Sequence, residues 1–478
     1  MSLVAGVDCS TQATKVVIVD ADTGRIVATG RATHEVTGAD GARETRPEVW
    51  DEALQAALAE TGRAHEIAAV SVAGQQHGLV VTDAKGTPLR PAILWNDTRS
   101  APQAESLTTA LGGAGEWARE VGVVPVPSIT VTKWAWLREH EPDTAAAAAG
   151  VSLPHDWVTA QLTGTPSTDR GDASGTGWWS GHDEAYREDV LALDGVGLDP
   201  ALLPPVRGPA DPAGTVTGHA AERFGLPAGI PVGPGTGDNM AAALGLGLEP
   251  GVPAVSLGTS GTAYAVGERC AADDTGTVAG FADASGRYLP LACTLNCTLA
   301  VDRIAGWLGL DREDVADATE VVTLPYLDGE RTPNLPHARG LVAGLTHDTD
   351  PREILLAAYE GAVAALSTAL DALHTHSSGL QPDAPVVLIG GGAKGAAWRR
   401  TMARLSGRAL LVPADQEFVA IGAAVQAAAA LSGDPLVATA RRWGHGGGEE
   451  LAPVPRDDAA LERIARVQQN VAALLASG

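Results

Sequence analysis

Lysine is almost missing from this chain. Lys15, Lys85, Lys133 and Lys394 are four of 33 basic residues, the other 29 being arginine, and 58 acidic residues leave a formal net charge of −25. So little positive charge excludes the basic footprint of a phosphate-backbone binder, and no nucleic-acid partner is expected. Cysteine is scarce too: Cys9, Cys270, Cys293 and Cys297 make no C-x-x-C pair and no disulfide framework. The spacing of Cys293 and Cys297 is too little for a zinc site, so reduced thiols in a cytoplasmic protein are expected. Aromatic residues are only 4%, in keeping with a drift toward Ala, Gly, Pro and Arg. The longest apolar stretches, 145–150 and 418–431, stop short of the roughly 18–20 residues of a bilayer crossing, and the N-terminus has no basic and apolar leader. No membrane association is expected.

What is there suits a folded protein of two or three domains: 478 residues, 45% apolar and 19% charged. Val4–Val7 and the β-branched run Lys15–Val19 predict two strands joined by the polar turn 8–14, and the turn 22–24 leads to a third at Ile26–Ala28. A helix follows Pro47, with Trp50, Leu54, Ala57 and Leu58 on one face. A buried strand, Ile67–Val72, ends in Gly74-Gln75-Gln76-His77-Gly78. The Pro- and Gly-rich stretch 203–237 predicts loops and short strands before an alanine-rich helix at Asp238. Glu249-Pro250-Gly251-Val252-Pro253 predicts a domain boundary, giving domains 1–248 and 249–478, with a hinge near 249–255. The second half repeats the logic: strand 254–257 into Gly258-Thr259-Ser260-Gly261-Thr262, a long helix from Arg352 to about Leu373, and strand 386–389 into Gly390-Gly391-Gly392. Strands alternating with helices predict an α/β fold.

Three turns carry the chemistry. Asp8-Cys9-Ser10-Thr11-Gln12-Ala13-Thr14-Lys15 offers an acid, hydroxyls, backbone N–H groups and a lysine, the groups that hold phosphoryl oxygens and hydrated Mg²⁺. The turn at Gly258 lets backbone approach an anion. Gly390–Lys394 has neither Walker nor G-x-G-x-x-G spacing, so its glycines are read as flat backbone for an adenine. Each alone is an ordinary tight turn. Together, at strand ends in both halves, with Lys15, Lys133 and Lys394 in the segments singled out, they point to a bound nucleotide.

These residues resemble the FGGY carbohydrate kinases of the actin-like ATPase superfamily. The hairpin 6–20 is similar to the first phosphate motif, residues 128–140 (Ser-Ile-Thr-Val-Thr-Lys-Trp-Ala-Trp-Leu-Arg-Glu-His) to the first family signature, and 390–407 to the second. Gln76-His77-Gly78, Trp95-Asn96-Asp97, Gly237-Asp238-Asn239 and Gly329-Glu330-Arg331-Thr332-Pro333 resemble the ketopentose-phosphorylating members, although methionine often stands at the position of Gln76. The resemblance implies two ribonuclease H-like lobes around a central cleft, ATP and Mg²⁺ as cofactors, a small sugar as substrate and a homodimer as assembly.

Carried over residue by residue, it implies Asp238 as the catalytic base, Asp8 as the Mg²⁺ ligand, and Gln76, His77, Trp95, Asp97, Asp238 and Asn239 around the sugar. Thr11, Gln12, Lys15, Gly258 and Thr259 would hold phosphates, and Gly391, Gly392 and Ala393 the adenosine. Blander roles stand beside these: Asp238 as the N-cap of a helix from Asn239, His77 as a structural hydrogen-bonding residue, Asp8 as a turn aspartate and Trp95 as core packing. D-xylulose is the expected acceptor. D-ribulose, L-ribulose or another polyol, and a non-catalytic sugar or nucleotide sensor, are the alternatives.

Overall fold

The computed structural model describes residues 2–377, 379–414 and 417–477. The chain forms two compact units. Unit 1 comprises Met1–Leu248, Arg269–Leu289 and Glu417–Gly446; unit 2 comprises Glu249–Glu268, Pro290–Gln416 and Gly447–Gly478. The chain first leaves unit 1 after Leu248, but two later segments belong to unit 1, which corrects the expectation of a continuous second domain.

Unit 1 is organised on a sheet. Leu3–Cys9 pairs antiparallel with Ala13–Asp20, which pairs with Ile26–Thr33, and on its other edge Leu3–Cys9 runs parallel to Ile67–Gly74. A parallel partner needs a crossover, supplied here by the helix Glu48–Thr61. Its buried face carries Trp50, Leu54, Ala57 and Leu58, packed with Val16, Ile18 and Val70. The helices Asp238–Gly245 and Phe418–Ser432 also belong to this unit. A side chain at Gly6 would run into the backbone oxygen of Ala420, and one at Gly422 into that of Ala241. Strand and helices therefore meet backbone to backbone, and that close approach explains why a segment beginning at Glu417 belongs to the first unit. The stretch 203–237 contains the expected short strands and also a helix, Gly218–Phe224, whose N-cap Thr217 accepts from the Ala220 N–H.

Unit 2 repeats the strand logic. Pro253–Leu257 pairs antiparallel with Gly261–Ala265 and parallel with Val386–Ile389, and Leu410–Pro413 continues the sheet. The helix Pro351–His376 starts at a capping box made by Asp350 and Glu353. It is, among the described residues, the one helix long and apolar enough to cross a membrane, contrary to the expectation that no stretch is. Since 83% of its apolar window is buried inside the protein, it is read as a core helix.

Candidate active site

The hairpin turn of unit 1 closes through Ser10 N–H donating to Ala13 O, and the register places Asp8 opposite Lys15. Asp8 is 3% exposed. Its Oδ1 accepts from Ser10 Oγ at 2.5 Å and its Oδ2 lies 3.7 Å from Lys15 Nζ. Burial raises the Asp8 proton affinity, and the Lys15 charge opposes it. Lys15 also donates to Glu417 Oε2 at 2.9 Å; burial lowers its proton affinity, but Asp8 and Glu417 outweigh that and leave it raised. Glu417, 402 residues away, is a partner that no local pattern in the sequence announces. Thr11 accepts a hydrogen bond from Trp95 Nε1 at 3.0 Å, which joins a residue expected at the sugar to one expected at the phosphates. Gln12 is exposed.

The strand Ile67–Gly74 delivers Gln76 and His77. His77 has φ +64°, a left-handed conformation that is uncommon for a side chain of this size and worth reading for function. Its Nδ1–H donates to Gly175 O at 2.9 Å, leaving Nε2 as the ring's acceptor nitrogen, and the ring lies 5.4 Å from that of Phe281. Gln76 Oε1 accepts from Asn239 Nδ2 at 2.9 Å, and Gln76 Nε2 is buried without a hydrogen-bond partner among the described residues.

Asp238 begins the helix Asp238–Gly245, and Gly237 occupies the cap position with no side-chain cap bond. Asp238 is therefore not the N-cap of a helix from Asn239. Its Oδ1 accepts from Asn239 N–H and Asn239 Nδ2, both at 2.8 Å, while Oδ2 accepts no hydrogen bond among the described residues. The residue keeps partial solvent access. Dense protein around it and the negative charges of Asp8 and Asp172 push its carboxyl up to about 7. A carboxylate with one oxygen fixed and a proton affinity near neutrality suits a general base.

Asp97 has a different character. It is 2% exposed, and its oxygens accept from Arg43 N–H, Arg99 N–H and the Arg99 guanidinium. These bonds tie together the loop that carries Trp95. Asn96 Oδ1, by contrast, is buried without a hydrogen-bond partner among the described residues. Lys133, in the first signature segment, donates to Pro127 O and Ser128 O.

The remaining candidates lie in unit 2. Gly258 O accepts from Thr298 N–H and Oγ1, and Thr259 is exposed at the turn. Gly390 has φ +86°, and a Cβ there would sit 2.8 Å from Leu257 O. Gly392 meets Leu257 and Thr298 as closely, whereas Gly391 has nothing within 4 Å and presents open backbone. Ala393 is buried, and its carbonyl accepts from Arg399 Nε. Thr298 ties the two glycine turns together. Glu313 accepts from Ala397 N–H at the start of the helix Ala396–Ser406. Neither residue was visible in the sequence.

An acid-bearing hairpin and a raised carboxylate at a helix start, on strands of one sheet, are the parts of a phosphotransferase acting on a hydroxyl. The chain belongs to the FGGY family of carbohydrate kinases: the family's N-terminal domain matches residues 3–245 and its C-terminal domain residues 254–431. The xylulose kinase of Streptomyces coelicolor is 59% identical, covering 99% of this chain and 97% of its own length. That of Streptomyces rubiginosus is 57% identical over 100% and 98%. The solved xylulose kinase of Bifidobacterium adolescentis is 36% identical with a TM-score of 0.83, covering 98% of this chain and 99% of that one. The α/β fold is that of the actin-like ATPases.

Proposed function

We propose that this chain is a xylulokinase, transferring the γ-phosphoryl group of ATP to D-xylulose to give D-xylulose 5-phosphate and ADP. The observation that carries the chemistry is Asp238, pinned at Oδ1 by Asn239 with Oδ2 unclaimed; the sugar's identity rests on the relatives at 57–59% identity. Asp238 Oδ2 takes the hydroxyl proton as the sugar oxygen forms its bond to the γ-phosphorus, and the bond from that phosphorus to the β-γ bridging oxygen breaks to release ADP. His77 Nε2 accepts from a sugar hydroxyl, and the buried Gln76 Nε2 donates to another. That donor is the one feature favouring a second reading, a different ketose or polyol.

Among the described residues no three His, Cys, Asp or Glu groups gather as a metal site. A lone carboxylate suits Mg²⁺, which keeps waters and takes its other ligands from phosphates, so Asp8 fits as its protein contact. When bound, the ion would neutralise charge on the transferring phosphate. Thr11, Gln12 and Lys15 would face the phosphates from unit 1. In unit 2, Gly258 and Thr259 offer backbone and hydroxyl donors, and Gly391 and Gly392, with the Ala393 backbone, an open face for adenosine. We place the enzyme in the cytoplasm, where its four free cysteines stay reduced, and as a homodimer, an assembly light scattering would read.

The test is ADP release with Mg-ATP against D-xylulose, L-xylulose, D-ribulose, L-ribulose and glycerol. Turnover highest on D-xylulose and lost in Asp238→Ala supports the reading. Preference for another member of the panel moves the substrate, and ATP binding without turnover on any of them refutes the kinase assignment.

A further inference from the structure

The helix Pro154–Thr163 buries His155 completely, at 0% exposed. Both ring nitrogens face carboxylates: Nδ1 lies 2.9 Å from Asp172 Oδ2, and Nε2 lies 3.1 Å from Asp156 Oδ1 and 3.5 Å from Asp169 Oδ1. Nδ1–H donates to Asp172 Oδ2, whereas Nε2 makes no hydrogen bond among the described residues; what favours a positive charge on the ring is the three carboxylates within 3.5 Å of it. Burial opposes that charge, but the three carboxylates win and push the ring up to about 9.

The turn 169–175 that runs through this cluster reaches both ends of the proposed chemistry. At one end Asp169 accepts from Thr236 Oγ1 at 2.7 Å as well as from the Gly171 and Asp172 N–H groups, and Thr236 lies two residues before Asp238. At the other end Gly175 O holds the His77 ring. The fit is tight: a Cβ at Gly171 would come within 2.7 Å of Thr236 Oγ1, and one at Gly175 within 2.6 Å of His77 Nδ1. Asp172 also acts on Asp238 through its charge.

We propose that Asp172, locked by the buried imidazolium of His155, is a positioning residue: the turn it anchors fixes His77 and Asp238 relative to one another. The inference rests on the xylulokinase reading, in which His77 holds sugar and Asp238 takes its proton. A buried ion pair is the right anchor for such a part, because breaking one side strands an uncompensated charge and the turn has no cheap alternative arrangement.

Asp172→Asn and Thr236→Val in the full chain test it, the second severing only the link from the turn to the strand before Asp238. The expected result for both is a rise of about tenfold in KM for the ketose, with KM for ATP within about twofold of wild type. Asp238 is faced by Asp8, backed by Lys15, and by Asp172, so Asp172→Asn removes negative charge and shifts the acidic limb of kcat/KM to lower pH; Thr236→Val leaves that limb in place. Losses spread equally over kcat and both KM values, or no change in either variant, would overturn the proposal. Independently of any substrate, ¹⁵N-histidine NMR of the whole protein should show His155 doubly protonated at pH 7.5, and a neutral ring there would also overturn it. A wild type inactive on every sugar, with the ring charged, sinks the kinase reading and leaves the lock standing.

Discussion

The hairpin Leu3–Cys9/Ala13–Asp20 in unit 1 and the hairpin Pro253–Leu257/Gly261–Ala265 in unit 2 are the same device, each with its first strand paired in parallel to a later one. Their turns are chemically unlike. The first carries Asp8 and Lys15, with Glu417 brought to the lysine from a distant helix start. The second carries no charge at all, only Gly258, Thr259, Ser260 and Gly261, tied down by Thr298. A turn with a buried acid can hold a cation and tune a neighbouring base, whereas a turn of glycine and hydroxyl offers only donors at close range. One topology is thus used twice with chemically unlike turns, and under the proposed function the first takes part in the reaction while the second holds phosphate.

Removing Asp238, the proposed base, should break that division most severely. Asp238→Ala should lower kcat by about 10³-fold, within the range general-base catalysis supplies, while leaving nucleotide affinity within about twofold. Single-turnover phosphorylation of D-xylulose and titration with an ATP analogue separate the two. Because Asp238 is pushed up to about 7, kcat/KM for the ketose in wild type should rise with pH through a limb near that value, as the carboxyl loses its proton.

The two hairpin turns can then be compared directly. Asp8→Asn should cost about 10²-fold in kcat/KM for Mg-ATP, since it removes the charge that fits the metal and leaves Lys15 with Glu417 alone. Thr259→Val in the second turn removes one exposed hydroxyl and should cost only a few-fold, about one hydrogen bond. Equal losses from the two variants would erase the distinction between a reacting and a holding turn. Between those two in size, Gly175→Ala would press a methyl group against the His77 ring. It should raise the ketose KM by about tenfold and leave the ATP KM alone, as initial rates would show.

The strands were legible because they are contiguous and β-branched, and Ile67–Gly74, Pro253–Leu257 and Val386–Ile389 each lie within two residues of where the pattern placed them. Asp238 and His77 stood at strand ends beside glycine, where chemistry tends to gather, and could be singled out. Glu417 and Thr298 could not, since their partners are distant in sequence: 402 residues separate Lys15 from Glu417, and 40 separate Gly258 from Thr298. The run Asp169-Arg170-Gly171-Asp172 was the one local hint of the buried cluster. Asp97 was singled out from a motif-like segment, two residues after a tryptophan, but the sequence did not show that Arg43 N–H and Arg99 would donate to it.

The units also differ in what holds their buried charges. In unit 2 the buried Glu360 pairs with Arg404 and Arg463, cations that keep their charge at any ordinary pH. Unit 1 buries Lys133 and Arg170, and with them His155, raised from an ordinary value near 6.5 to about 9. A group raised on folding contributes its full stabilisation below its unfolded value and loses it as pH climbs through its folded one, so unit 1 should weaken between pH 6.5 and 9. Asp156, pushed up to about 7, adds to the fall as it ionises, because a carboxyl raised on folding also costs stability as pH climbs from its unfolded to its folded value. Hydrogen exchange at pH 6.5 and 9, corrected for the intrinsic rate, should show protection falling in residues 153–175 and holding in 396–406. A parallel fall in both segments would mean that the histidine cluster is not what sets the pH response of unit 1.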